Sequence, residues 1–94
     1  MIKNCKIEDD RVLPFIKKNN LIKPINITID KILKQYGKET QIEIIYCGYD
    51  YNESILLNIL GIGANDSYIK ELKKLNEWFI PNIYEKYNEY INVL

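Results

Sequence analysis

Histidine is absent from the 94 residues, and with it go the commonest general base, the commonest zinc ligand and the usual pH switch. Arg11 is the single arginine in a lysine-rich chain. Bidentate contacts to phosphate and guanine are guanidinium work, so sequence-specific reading of DNA is disfavoured. The two cysteines, Cys5 and Cys47, have no Cys-x-x-Cys spacing, which reads as two free thiols and not as a metal site or a disulfide frame. No apolar run is long enough to cross a bilayer, and Lys3 and Lys6 near the amino terminus have no signal-type apolar stretch behind them. These absences predict a cytoplasmic protein with no membrane contact. There is no repeat, linker or low-complexity tract, so residues 1–94 read as one globular domain without a cofactor or a metal.

What is present is isoleucine, lysine, asparagine and tyrosine, which together supply about half the chain. That bias follows A/T-rich codons and fits a bacterial or phage gene. Formal charge is zero, from 13 basic and 13 acidic residues, but the signs are segregated. Residues 1–38 are strongly basic, whereas residues 39–66 hold Glu39, Glu43, Asp50, Glu53 and Asp66 with no lysine or arginine. The last third balances. Either the acidic third neutralises the basic third within the molecule, or it is a surface for something else.

Helical signals dominate the reading of local structure. Asp9 or Asp10 can cap a short helix over residues 11–18, with Pro14 tolerated in its first turn. Pro24 predicts an extended step, after which Thr28 can cap a helix bearing Ile29, Ile32, Leu33 and Tyr36 and closed by Gly37. Residues 41–47 fit either a strand or, through Thr40 and Glu43 as a capping box, a helix; helix is preferred because strand partners are scarce. Asp50 or Asn52 can cap a helix over residues 53–60. Tyr68, Leu72, Leu75 and Phe79 form a helical stripe, Pro81 predicts a kink, and Ile80, Ile83, Tyr84, Tyr87, Ile91 and Leu94 predict a last helix with Glu85 and Glu89 on its polar face. The expectation is an all-α domain of five to six short helices, with an α+β fold containing a small sheet through residues 41–47 as the alternative.

Chemical motifs are few. Residues 57–72 resemble a helix-turn-helix loosely, but the apolar spacing after Gly61 is displaced and the acidic segment would face the phosphates. The glycines of Gly61-Ile62-Gly63-Ala64-Asn65 lack the lysine and serine of a phosphate loop. Glu43 with Glu53, or a tyrosine with a lysine, could exchange protons, yet nothing marks any pair as convergent, so an enzyme is not expected.

The remaining signal is the run Tyr46-Cys47-Gly48-Tyr49-Asp50-Tyr51-Asn52-Glu53. Rigid amphipathic rings beside carboxylates have the chemistry of a protein-recognition surface, and a flexible Gly48 would help them adapt. Glu43, Tyr46, Tyr49, Asp50, Tyr51, Glu53 and Asp66 are therefore the candidate partner-binding residues. The function they suggest is a small inhibitor of immunity-protein or antitoxin type that covers a basic site, such as a toxin nuclease's groove, on a partner protein. Alternatives are a phage-encoded inhibitor of a host defence protein and a small nucleic-acid-binding regulator using the lysines of residues 17–38 and 70–74, although nucleic acid is not the expected partner. A homodimer is compatible with all three.

Overall fold

Ile42 and Ile44 alternate with Glu43 and Ile45, and Ile55, Leu57 and Ile59 alternate with Leu56 and Asn58. That two-residue period is realised in the computed structural model, which describes residues 5–49, 52–60 and 66–93. Strands β2 (Gln41–Tyr49) and β3 (Asn52–Leu60) pair antiparallel along their whole length, with Ile42 opposite Ile59 and Ile44 opposite Leu57. The expected helices over residues 41–47 and 53–60, and with them the all-α fold, are thus overturned. Each segment also matched a helical period, and the pairing of the two with each other decided the outcome.

Short edge strands complete a four-stranded mixed sheet in the order β1-β2-β3-β4. Strand β1 (Cys5–Ile7) runs parallel to β2, and β4 (Ile91–Val93) runs parallel to β3. Between them lie helices α1 (Val12–Lys18), α2 (Ile22–Tyr36) and α3 (Asp66–Phe79). The fold is α+β. Its core forms where Val12, Phe15 and Ile16 of α1, Ile25, Ile29 and Ile32 of α2, and Leu75 and Phe79 of α3 meet one face of the sheet. Ile42, Ile44, Ile55, Leu57, Ile59 and Ile91 supply that face, as strand alternation requires. The opposite side chains, Glu43, Ile45, Cys47, Ser54, Leu56 and Asn58, are only half-buried.

Three local readings are corrected. Pro24 does not enforce an extended step: it is buried within the first turn of α2, where a missing N–H has no intrahelical acceptor to lose. Thr28 does not cap the helix, which has already begun; it is fully buried and its hydroxyl donates to the Pro24 carbonyl at 2.8 Å. The last helix does not run to residue 94. After α3 the chain makes a π-helical turn over Ile80–Tyr84, with Pro81 in its first turn and the Glu85 N–H donating to the Ile80 carbonyl. Asn88 (φ 56°) and Glu89 (φ 62°) then turn the chain left-handed, the Glu89 N–H reaching back to the Tyr84 carbonyl, and β4 follows. The helix-turn-helix resemblance fails because residues 57–60 are strand, while residues 61–65 lie outside the described set. Among the described residues no helix is long and apolar enough to cross a membrane.

The two faces of β3 give this fold a direct test. Leu57→Ala should cost about 2–5 kcal/mol in urea unfolding, as should Phe79→Ala, because both empty packed sites. Leu56→Ala, on the uncovered face, should cost about 1 kcal/mol or less. A helix over residues 53–60 would bury Leu56 and reverse that order.

Candidate functional site

One end of the sheet collects what the sequence scattered. β1 points toward the β2–β3 hairpin end and delivers Asp9, Asp10 and Arg11 there. β4 starts from the same end, with the Ile55 N–H donating to the Tyr90 carbonyl at 2.8 Å, so Asn88, Glu89 and Tyr90 stand beside the first residues of β3. Residues remote in sequence thereby surround Tyr46 and Glu53.

Tyr46 is the organising side chain. It lies on the core side of β2, and Phe15 meets its ring edge to face, with centroids 5.9 Å apart. Phe15 holds Tyr90 in the same manner at 5.4 Å. The Arg11 guanidinium lies over the Tyr46 ring, 4.6 Å from its centroid. Arg11 is fixed in turn by Asp9, whose carboxylate accepts from its backbone N–H, Nε and Nη2 at 2.6–3.2 Å. The Tyr46 hydroxyl donates to Glu53 Oε2 at 2.5 Å. A chain of contacts therefore runs Asp9, Arg11, Tyr46, Glu53.

Gly48 makes that chain possible. It lies opposite Glu53 in the ladder, and the Tyr46 ring extends across it to reach the carboxylate. A Cβ at position 48 would fall 2.7 Å from Tyr46 Cε1 and 2.9 Å from its hydroxyl oxygen. Gly48 is thus not a flexible joint but a strand glycine roofed by an aromatic ring.

Two open cavities flank Glu53. One, of about 320 Å³, is lined by Asp10, Arg11, Pro14, Phe15, Lys18 and Tyr46 as well as Glu53. The other, of about 490 Å³, has Asn52, Glu53, Ser54, Tyr84, Asn88, Glu89, Tyr90 and Asn92 in its wall and no basic residue. The second wall offers carboxylates, amides, a hydroxyl and two phenols, a surface rich in hydrogen-bond acceptors.

The seven sequence candidates do not form one patch. Tyr46 and Glu53 are joined directly, and Tyr49 ends β2 beside them, opposite Asn52. Asp50 and Tyr51 lie outside the described residues. Glu43 is on the uncovered face, five residues down β2 from Gly48, which puts it about 17 Å from Glu53 along the strand. Asp66 opens α3; Tyr68 two residues on packs against Tyr36 at the end of α2, so Asp66 belongs to the opposite end of the molecule. Asp9, Asp10, Arg11, Phe15, Tyr84, Glu89 and Tyr90 were not among the candidates. Glu89 was assigned to the polar face of a helix that does not exist, and only the juxtaposition of Asp9, Asp10 and the sole arginine hinted at the rest.

Electrostatics follow these contacts. The Arg11 hydrogen bonds hold the Asp9 carboxyl down at about 2. The hydrogen bond to Glu53, then burial, raise the Tyr46 phenol above its ordinary value, because ionisation would set two negative charges in contact. Both ion pairs among the described residues, Arg11–Asp9 and Lys6–Glu8 at 3.1 Å, lie inside the basic first third. Among the described residues no carboxylate of the acidic middle third makes an ion pair with it, although Glu43 stands opposite Lys6 in the β1–β2 ladder and attracts that lysine. Among the described residues no group of three or more metal-ligating side chains gathers. Comparisons with protein-family models, with curated proteins and with solved structures gave no match.

Tyrosine ionisation measures the site. The difference between the alkaline absorbance titrations of the parent and Tyr46→Phe should isolate one phenol ionising above pH 10. Glu53→Gln should bring it back toward that ordinary value. Since the folded-state value is the higher one, the contribution to stability is complete below about pH 10 and lost as pH rises through the raised value. Asp9 acts with the opposite sign: its contribution holds above the ordinary carboxylate range and is lost as pH falls through about 2. Gly48→Ala should abolish the Tyr46 shift by displacing the ring.

Proposed function

We propose that this chain is a cytoplasmic protein-binding inhibitor of immunity-protein or antitoxin type, and that its hairpin end covers a basic site on a partner protein. The observation that carries the reading is the convergence of Tyr46, Tyr84, Tyr90, Glu53 and Glu89 around two shallow cavities at one end of the sheet. Rings held by Phe15 offer contact area whose conformational entropy is already spent. Glu53 and Glu89 are exposed and make no ion pair among the described residues, so their charge is free to meet a cationic surface. A nuclease that grips nucleic acid must present such a surface, and an acidic, tyrosine-bearing cover blocks it by electrostatic complementarity. The free thiols Cys5 and Cys47 suit a reducing compartment.

The test is retrieval of a partner from the source cells with the tagged parent chain and with Glu53→Lys/Glu89→Lys. The parent should retrieve a protein that cleaves or binds nucleic acid, and an equimolar amount of the chain should suppress that activity. The double reversal should slow association and weaken the complex, an effect that fades with added salt. Tyr90→Ala should instead speed dissociation, costing about 2 kcal/mol if the ring is central. Glu39→Lys/Glu77→Lys, away from the hairpin end, is the control. Equal losses from both double reversals would show that net charge alone matters, and a retrieved partner with no nucleic-acid activity would overturn the nuclease assignment.

A further inference from the structure

The outer surface of α2 and α3 carries the opposite charge. The two helices run antiparallel: the Tyr36 ring lies tilted against Tyr68 with centroids 6.3 Å apart, the Gln35 amide donates to the Glu71 carbonyl, and Lys31 lies 5.5 Å from the centre of the Trp78 ring. Lys34 of α2 and Lys74 of α3 flank that seam, Lys38 lies just past the end of α2, and Lys70 and Lys73 lie on the outer side of α3. All five are exposed and Lys31 is half-buried; none makes an ion pair among the described residues. Asp30, Glu39, Glu71 and Glu77 share the surface, and six lysines against these four carboxylates leave it net positive.

We propose that this α2–α3 face binds the phosphate backbone of single-stranded nucleic acid without reading its sequence. Lysines on both banks of the groove between two packed helices act as point charges toward phosphates lying along it. None of them can form the planar fork that reads guanine, so backbone attraction is what the face can supply. Trp78 supplies the second element. It lies half-buried in the groove beneath Lys31, where a base can stack on the indole as the lysine moves to a phosphate. A lipid surface fits less well, because the continuous apolar stripes of α2 and α3 are turned into the core and leave only single isoleucines such as Ile27 and Ile69 outside. The inference is independent of the hairpin end.

Fluorescence anisotropy with a labelled oligothymidylate of about 20 nucleotides, longer than one such site, tests it. Binding should weaken steeply between about 50 and 200 mM salt. It should also quench the chain's only tryptophan. The triple variant Lys34→Gln/Lys70→Gln/Lys74→Gln should lose about tenfold in affinity at low salt and flatten the logarithmic salt dependence by about 2, near 0.7 per lysine. Its thermal midpoint should match the parent's, since these side chains are exposed and unpaired. Lys17→Gln/Lys18→Gln/Lys23→Gln is the control and should retain the parent slope. The proposal is overturned by absence of binding, by an unquenched Trp78, by preference for a duplex of the same length or for phosphatidylglycerol vesicles, or by equal losses from both triple variants. Loss of the hairpin-end partner would leave every one of these readings unchanged.

Discussion

The β2–β3 ladder is the constraint on which the molecule depends. β1 and β4 are three-residue strands that cannot stand alone, and each pairs only with its neighbour in this central hairpin. The helices need it equally: their apolar stripes converge on Ile42, Ile44, Leu57 and Ile59, and without that face Ile25, Ile29, Leu75 and Phe79 would be exposed. Isoleucine suits the role, since its β-branched side chain packs well on a pleated surface and it is the chain's most abundant residue.

The same ladder builds the candidate site, because strand direction decides what arrives where. A parallel β1 ends at the hairpin end, and a parallel β4 begins there, so the first and last parts of the chain meet around Tyr46 and Glu53. Phe15 shows how core and surface are coupled. It is buried with α1 against the sheet, yet its edges position Tyr46 and Tyr90 at the rim. A partner at this end would meet rings whose orientation the core has already set.

The sequence was legible where one period alone fitted. Residues 66–79 carry a helical stripe with no competing alternation, and α3 formed as expected; α1 also formed, but its N-cap is Arg11 with no side-chain hydrogen bond, not Asp9 or Asp10. Residues 41–60 were illegible because isoleucine and leucine are dense enough to satisfy both periods. Ile55, Leu56, Ile59 and Leu60 make a helix face, while Ile55, Leu57 and Ile59 make a strand face, and the pairing of this segment with β2 separates them. At the carboxy terminus Ile83, Tyr87 and Ile91 keep helical spacing, but Asn88 and Glu89 adopt a left-handed backbone that glycine would have signalled. The chemical character of the site, tyrosine with carboxylate, was readable in Tyr46 and Glu53. Its other members came from segments that only tertiary pairing brings near.

Exposed Glu53 and Glu89 at the hairpin end and exposed lysines on α2 and α3 give a chain of zero net charge an uneven distribution of sign. Approach to a charged surface then exerts a torque as well as a force, presenting one end first and shortening the rotational search. Like molecules feel the same torque. With no net repulsion to keep copies apart, the acidic end of one can seek the helices of another, so colloidal stability should be poorest near the sequence pI of about 6.3 and at low ionic strength. Added salt, which weakens most associations of this kind, should make this protein easier to keep in solution.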